Sequence, residues 1–223
     1  MKLLKATAVA FALLVLATLV SQRALPGTLR PVDESTAQVD VLDRDGRPLQ
    51  ISYDGGWNLH GQMALAKIPQ TLRTAFVESE DRRFWQHHGI DWRARFAALW
   101  TDLRAGRAVR GASTISEQVV RILRPRPRTV WSRWVEGFEA MRLEARFSKA
   151  DILEFYLNQV PYGANRRGVG PAASHYFGRS LDTLSREEML ALAVMVRAPS
   201  RLARDPQALQ SRVRRLAAAM QAR

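Results

Sequence analysis

The chain has 223 residues, 47% of them hydrophobic and 25% charged, with a formal net charge of +13 and no cysteine. This composition is that of a globular protein, and the length suits one domain with a full core better than two large domains. The absence of cysteine excludes disulfides and thiolate metal sites.

The N-terminal segment predicts a membrane anchor. Residues 1–5 carry two lysines, no further charge occurs until Arg23, and residues 6–22 between them are almost wholly apolar. With the two leucines before it, this run reaches the roughly 20 apolar residues that a spanning helix needs. The alternative is a cleaved signal peptide, although the segment has no clear A-x-A cleavage site. In both cases the body of the protein is exported, and the lysines favour a cytoplasmic N-terminus.

The excess of positive charge limits the kinds of molecule that an exported, membrane-tethered protein is expected to bind. Nucleic acid fits that location badly, so no nucleic-acid partner is expected. Anionic lipid head groups, or a substrate that carries phosphate, fit better. A solvated, arginine-rich face is the alternative and accounts for part of the excess.

Beyond the anchor, the sequence predicts a linker with one short β-hairpin, over residues 23–61. Residues 38–53 alternate apolar and polar side chains around Asp45-Gly46, a dipeptide typical of hairpin turns. The hairpin is the β structure that the sequence predicts.

The chain beyond residue 62 is predicted to be helical. A first helix runs from Pro69 to Glu80, and a second starts at the cap Asp91 and stops at Gly106. The second helix carries four apolar residues at the spacing of a core face: Phe96, Leu99, Trp100 and Leu103. Further helices are predicted near Ser113, over residues 129–147, after the cap Ser148, over residues 171–177, from the Ser185 capping box to Arg197, and from Asp205-Pro206 onward, with an irregular loop over residues 161–170.

The most unusual stretch is residues 80–89. It holds two carboxylates, Glu80 and Asp81, with two arginines, two histidines and two aromatic side chains, and Gly89 closes it. Such a mixture suits the rim of a pocket with a catalytic carboxylate, or a helix end held by ion pairs. The residue types alone leave both interpretations open.

A second stretch, residues 111–118, has the pattern of a helix start. Thr114 and Glu117 form a capping box, which is the structural interpretation. The functional interpretation is an anion site, because Ser113 and Thr114 lie at the free amide groups of the helix start and Arg121 follows within two turns.

Two further pairs are each spaced by one helical turn. Arg133 and Glu136 suit an ion pair on a solvated face, worth roughly 0.2–0.5 kcal/mol. Glu154 and Asn158 either brace the following loop or line a site. The sequence has no P-loop, H-E-x-x-H or G-x-S-x-G motif, and its histidines lack a metal-ligand spacing.

In their fixed order, these stretches resemble the glycosyltransferase domain of peptidoglycan synthases, which class A penicillin-binding proteins and monofunctional peptidoglycan glycosyltransferases share. The family's motifs E-D-x-x-F-x-x-H-x-G, G-x-S-T-x-x-Q-Q, R-K-x-x-E and I-L-E-x-Y-L-N are met, with the departures given below, in that order at residues 80–89, 111–118, 132–136 and 152–158, the third of them at Arg133 and Glu136. The resemblance covers roughly residues 65–201 and includes no transpeptidase domain, which predicts a monofunctional enzyme.

The resemblance implies a mostly α, lysozyme-like glycosyltransferase domain, accompanied by the small β-hairpin and an N-terminal transmembrane helix. It divides the chain into an anchor or signal (1–22), a linker with the hairpin (23–61), the glycosyltransferase domain (62–201) and a C-terminal basic helix (202–223).

The resemblance also implies an inverting hexosyltransferase that polymerises lipid II into β-1,4-linked glycan strands and releases undecaprenyl diphosphate. Glu80 holds the family's general-base position. Glu136 holds a second catalytic position near the donor, where Mg²⁺ or Mn²⁺ is an open option, although the sequence itself requires no cofactor. Substrate contacts are expected at Asp81, Phe84, His87, Ser113, Thr114, Gln118, Arg121, Arg133, Glu154 and Asn158.

The resemblance implies the partners and the location as well. The expected partners are lipid II, the growing glycan strand, the membrane and other cell-wall synthases. The expected location is the inner membrane, with a single span and the catalytic domain on the periplasmic side.

The departures from the motifs occur at positions that the resemblance assigns to binding of the donor substrate. Glu117 stands at the first glutamine of the second motif and Arg121 replaces a lysine, and the third motif has one cation, Arg133, where the pattern has two. These changes put donor affinity in question. One rival is therefore a membrane-anchored, catalytically weak module that binds lipid II or other synthases. A lysozyme-like hydrolase is a second rival, because a carboxylate pair also suits glycoside cleavage.

Overall fold

The computed structural model describes residues 2–29, 57–58, 61–106, 112–163 and 166–222. These residues are mostly helical, as predicted, and the predicted β-hairpin at residues 38–53 lies outside them. The α-helices are α1 (Lys2–Ser21), α2 (Gln70–Glu80), α3 (Trp92–Ala105), α4 (Ile115–Leu123), α5 (Val130–Arg146), α6 (Lys149–Gln159), α7 (Val169–Phe177), α8 (Arg186–Met195), α9 (Pro199–Leu202) and α10 (Pro206–Gln221).

Two short strands lie where the sequence predicted an irregular loop. β1 (Pro161–Tyr162) and β2 (Arg166–Arg167) pair antiparallel, with Pro161 opposite Arg167 and Tyr162 opposite Arg166. The prediction of a loop without strands was wrong here, because two-residue strands carry no periodic pattern that a sequence could reveal.

The chain folds as two compact units. Unit 1 comprises Met1–Gly27 and Arg83–Lys149, and unit 2 comprises Thr28–Arg82 and Ala150–Arg223. Unit 1 therefore holds α1, α3, α4 and α5. Unit 2 holds the other helices and both strands, with α6 assigned to it from its second residue on.

The core of unit 1 lies where α4 packs against α5. Gly89 has a φ of +86°, and a Cβ at this position would collide with the backbone of Ala140 and Met141 in α5. Glycine is thus required both by the backbone conformation and by the close approach. The core side chains of α4 and α5 are Ile115, Val119, Val120, Val135, Ala140 and Leu143.

In unit 2, α8 packs against α2 and α10, and α2 also contacts α10. α6 buries seven of its eleven residues, as expected of a helix that is apolar on most of its faces. Phe76 of α2 meets Tyr156 of α6 edge to face, with ring centroids 6.0 Å apart. This packing fixes the C-terminal half of α2, which leads to Glu80.

The helix ends follow the predicted caps. Asp91 accepts a hydrogen bond from the N–H of Ala94 at 2.8 Å, and Gly106 ends α3 in the left-handed conformation. A capping box at Ser185 opens α8, and Asp205 caps α10. These predictions are confirmed because a cap depends on residues within one turn of it.

The prediction that one apolar face of α3 packs in the core is wrong. Phe96, Leu99, Trp100 and Leu103 are 67%, 56%, 60% and 68% exposed, and α3 buries only Ala98. The spacing showed correctly that these side chains share one face of a helix, but periodicity does not show what covers that face.

α1 is the apolar N-terminal segment, and it is helical from Lys2 to Ser21. Among the helices of the described residues, none combines the length and apolar character needed to cross a membrane. The spanning anchor therefore stays a prediction.

Candidate active site

Glu80 is the last residue of α2, and its side chain is only 5% exposed. Oε1 of Glu80 accepts a hydrogen bond from Nε of Arg197 at 2.8 Å. Nη2 of the same guanidinium donates to the carbonyl oxygen of Ser79 at 2.7 Å. Because a buried carboxylate is costly without a partner, Arg197 stabilises Glu80 in this position.

Two buried phenols lie within the electrostatic reach of Glu80. Burial raises the pKa of Tyr156 well above its usual value, and the charge of Glu80 raises it further. Burial also raises the pKa of Tyr162, with smaller contributions from Tyr176 and Glu80. Both hydroxyls therefore stay neutral, and that of Tyr162 donates to the carbonyl oxygen of Leu192 at 3.0 Å. Near Glu80, unit 2 thus combines neutral phenols with the cation of Arg197.

The residues beside Glu80 have structural partners. Asp81 caps the C-terminal end of α2 and is 6% exposed. Arg82 pairs with Glu78 at 2.6 Å, one turn back along the chain. Arg83 pairs with Asp91 in unit 1. The two arginines thus hold helix ends, which is the ion-pair interpretation of this part of the stretch.

Phe84 and His87 belong to a buried cluster in unit 1. Nζ of Lys149 lies 4.3 Å from the centroid of the Phe84 ring and donates to Oε1 of Glu144 at 2.7 Å. Nδ1 of His87 lies 3.8 Å from the same oxygen, and the hydroxyl of Ser116 donates to it. The cluster gives both predicted site residues a supporting role, and their contact with substrate stays a prediction.

The capping box predicted at the start of α4 is confirmed. Oγ1 of Thr114 accepts from the N–H of Glu117 at 3.1 Å and donates to the carbonyl oxygen of Gly89 at 2.6 Å. Thr114 is 2% exposed, so its hydroxyl is used by the fold. Ser113 and Gln118 are half-buried and are the more accessible predicted contacts at this helix start.

Glu117, which departs from the second motif, has a matching cation. Its carboxylate pairs with Arg95 of α3. Burial raises the pKa of Glu117, while Arg95 and the N–H of Thr114 act against this rise. Gly137 of α5 leaves room for the pair, since a Cβ there would lie 2.9 Å from Nη2 of Arg95. The departure is therefore accommodated inside unit 1.

Glu136 pairs with Arg121, although the residue spacing had favoured Arg133. Arg121 donates to Oε2 of Glu136 from Nη2 at 2.6 Å and from Nε at 3.2 Å. Glu136 is 3% exposed, whereas Arg133 belongs to the exposed residues. The predicted second carboxylate is thus held by an arginine of α4, and Arg133 is accessible to an anionic ligand.

Trp134, which follows Arg133 of the third motif, joins α5 to α1. Its Nε1 donates to Oγ1 of Thr18 at 3.0 Å, and its ring packs against Phe138 with centroids 5.0 Å apart. Trp134 therefore has a packing and hydrogen-bonding role within unit 1, at a position that the motif R-K-x-x-E leaves variable.

Glu154 and Asn158 brace the chain segment before α2. Oε2 of Glu154 accepts from the N–H of Leu65 at 2.7 Å. Asn158 accepts from the N–H of Met63 at 2.9 Å and donates to the carbonyl oxygen of Met63 at 2.8 Å. The sequence left open whether these two residues brace a neighbouring segment or line a site, and the contacts favour the first interpretation. Contact of Glu154 and Asn158 with substrate stays a prediction.

The predicted site residues divide between the two units. Sequence reasoning missed Arg197, which lies 117 residues from Glu80 along the chain, and also missed Glu144 and Lys149. No spacing pattern links residues so far apart. Unit 2 carries Glu80, Asp81, Glu154 and Asn158, and unit 1 carries Phe84, His87, Ser113, Thr114, Gln118, Arg121, Arg133 and Glu136.

The divalent cation at Glu136 stays a prediction. Mg²⁺ usually keeps several waters and is held by one or two carboxylates together with substrate phosphates. Within the described residues, no group of three or more His, Cys, Asp or Glu side chains could hold a metal ion. The neighbour that Glu136 does have is the guanidinium of Arg121, which is a cation itself. No catalytic step is therefore assigned to a metal at Glu136.

A mostly helical chain with two buried, arginine-paired carboxylates suits carboxylate-dependent sugar chemistry, and known proteins resemble it over most of its length. A family model described as transglycosylase matches residues 49–221. Similar curated proteins include penicillin-binding protein 1C of Escherichia coli, 36% identical over 177 residues, which are 78% of this chain and 23% of that protein. Penicillin-binding protein 1A of Escherichia coli is 40% identical over 162 residues, 69% of this chain and 19% of that protein. Penicillin-binding protein 1A of Aquifex aeolicus is 38% identical over 158 residues, 67% of this chain and 22% of that protein.

The chain belongs to the transglycosylase family, the peptidoglycan glycosyltransferase class that the four sequence motifs indicate. The prediction of the family is thereby confirmed. The chain spans about a fifth of the length of these relatives.

Proposed function

We propose that this chain is a peptidoglycan glycosyltransferase that joins lipid II units into β-1,4-linked glycan strands. The observation that carries the proposal is the carboxylate of Glu80, which holds the family's base position and is 5% exposed at the end of α2. A general base must be held within hydrogen-bond reach of the proton that it abstracts, and a fixed partner keeps its carboxylate in one orientation. Arg197 provides that partner.

Glu80 takes the proton of the acceptor's GlcNAc 4-hydroxyl as the hydroxyl oxygen forms a bond to C1 of the donor's MurNAc. The bond between C1 and the diphosphate oxygen breaks, and undecaprenyl diphosphate leaves with the electron pair. A single displacement inverts the configuration at C1. The protonated Glu80 then returns its proton to water.

The departing diphosphate requires cations and N–H donors. Arg133 supplies an exposed guanidinium on α5. Arg121 lies on α4, where its charge is paired with that of Glu136. The start of α4 adds N–H groups beside Ser113. These groups of unit 1 support binding of an anionic leaving group.

Membrane attachment suits a substrate with a polyprenyl tail. α1 exposes several large apolar side chains, among them Phe11 at 67% and Val20 at 77%, and water is a poor solvent for such a surface. We therefore propose that α1 attaches the chain to the inner membrane, with the catalytic part on the periplasmic side and with lipid II and the growing strand as its ligands there. Other cell-wall synthases are proposed partners.

One observation favours a second candidate function, a catalytically weak module that binds lipid II or other synthases. Counting back from Glu136, Ser132 stands at the arginine of the third motif and Arg133 at its lysine, so the motif offers one cation where the family's pattern has two. Weak donor binding would follow from that loss.

Polymerisation of lipid II by the detergent-purified full chain separates the two candidates. We expect glycan strands from the wild type and none from Glu80→Gln, because the amide cannot accept the proton. Glu187→Gln is the matched control, since Glu187 is exposed at the start of α8, and it should polymerise like the wild type. If wild type and Glu80→Gln bind lipid II equally and neither forms polymer, the weak module is the correct function.

A further inference from the structure

We propose that Arg197 is a positioning residue for the carboxylate of Glu80, an inference that rests on the proposed role of Glu80 as the general base. Arg197 follows α8 and lies outside the four motifs. The family resemblance and the residue spacing gave it no role. Its assignment comes from its contacts with the end of α2.

Arg197 is fixed at two points. Nε donates to Oε1 of Glu80 at 2.8 Å, and Nη2 donates to the carbonyl oxygen of Ser79 at 2.7 Å. The guanidinium is planar and rigid, so two bonds in different directions determine its orientation. The orientation of the Glu80 carboxylate is then determined through Arg197.

The second of these bonds also stabilises the helix that carries the base. The last carbonyl groups of an α-helix lack intrahelical partners, and a cation near them interacts favourably with the helix dipole. Ser79 and Glu80 are the last two residues of α2. Arg197 thus holds both the base and the backbone from which the base projects.

The two partners differ in exposure. The Glu80 side chain is 5% exposed, whereas the Arg197 side chain is 51% exposed. The carboxylate is thus shielded from bulk water, while its cation is partly open to it. A lysine at this position could supply the charge, but its donors share one nitrogen atom and lack the planar fork with which Arg197 reaches the two oxygens from two separate atoms.

The test compares Arg197→Gln and Arg197→Lys in the full-length chain. Arg201→Gln serves as the control, because Arg201 is an exposed arginine of α9 only four residues away. We expect Arg197→Gln to lower kcat for lipid II polymerisation by about tenfold to a hundredfold with little change in KM, since misplacing a catalytic group by about 1 Å costs that much. Arg197→Lys should recover part of kcat, and Arg201→Gln should match the wild type.

An unchanged kcat in Arg197→Gln would overturn the proposal, and so would a raised KM with kcat intact, which would make Arg197 a substrate-binding residue. A double-mutant cycle on the thermal unfolding temperature, with Arg197→Gln and Glu80→Gln, tests the pair without activity. We expect the two effects to be non-additive, and additive effects would contradict the pairing. If the wild type makes no polymer, the proposed function fails while the cycle still decides whether Arg197 holds Glu80.

Discussion

At the scale of single residues, arginine is a recurrent partner of buried carboxylates in the described chain. Arginine stays charged across the physiological pH range and offers several donors in a fixed geometry. The cation in such a pair therefore does not titrate, and any pH response comes from the carboxylate. Four such pairs are Glu80 with Arg197, Glu117 with Arg95, Glu136 with Arg121 and Asp91 with Arg83.

Glu117 and Asp91 are predicted to change the pH dependence of the free energy of unfolding in opposite directions. Burial raises the pKa of Glu117 above 4.5, so the folded state binds more protons, and the contribution of Glu117 to stability falls as pH rises through and above 4.5. Burial also acts to raise the pKa of Asp91, but Arg83 and the N–H of Ala94 lower it below 3.8 overall. The contribution of Asp91 is therefore present above pH 3.8 and lost as pH falls below it.

The measurement is the free energy of urea unfolding of the wild type, Glu117→Gln and Asp91→Asn as a function of pH. The wild type should lose stability relative to Glu117→Gln as pH rises, and it should gain stability relative to Asp91→Asn. Parallel trends in the two comparisons would contradict the assigned directions of the pKa changes.

At the scale of secondary-structure elements, the end of α1 is fastened to the rest of unit 1 by a buried ion pair. Arg126, in the loop between α4 and α5, pairs with Glu139 of α5 through two bonds of 2.7 Å, and the side chains are 7% and 1% exposed. Arg126 also donates to the carbonyl oxygen of Ser21 at 3.0 Å, and the N–H of Arg23 donates to Glu139 at 2.6 Å. The ion pair thus connects three segments of unit 1.

Arg126→Ala is predicted to destabilise the protein by about 3–5 kcal/mol, because it leaves a buried carboxylate without its cation. Urea unfolding of the full chain in detergent measures this loss. Arg128→Ala is the control, since Arg128 is exposed, and it should change the free energy of unfolding by less than about 0.5 kcal/mol. A loss in Arg126→Ala as small as that of the control would show that the pair contributes little.

The elements also show what the sequence could predict and what it could not. Caps such as Asp91 and Thr114 were predictable because each acts within one helical turn. The exposed face of α3 and the pairing of Glu136 with Arg121 were not, since both depend on which elements pack together. The contact between Glu80 and Arg197 joins residues 117 positions apart, and no local pattern could reveal it. The motif positions themselves were predictable only through their fixed order along the chain.

At the scale of the whole molecule, apolar surface and net charge both favour a membrane location. α1 and α3 expose large apolar side chains, and the chain carries a net charge of +13. A soluble protein rarely leaves such faces in water, and basic residues are attracted to anionic lipid head groups. The apolar residues of α3 are therefore expected to contact lipid, which would explain why they do not join the core.

Single-cysteine variants can test this expectation, because the chain has no native cysteine and a thiol-reactive dye would label only the introduced site. Phe96→Cys and Leu103→Cys place the dye on the exposed apolar face of α3, and Glu187→Cys places it at an exposed polar position on α8. In vesicles that contain anionic lipid, quenchers carried on the acyl chains should quench the two α3 dyes strongly and the Glu187→Cys dye weakly, while a water-soluble quencher should show the reverse order. Equal quenching of all three dyes by the lipid-borne quencher would mean that α3 does not enter the bilayer, and its apolar face would then need a protein partner.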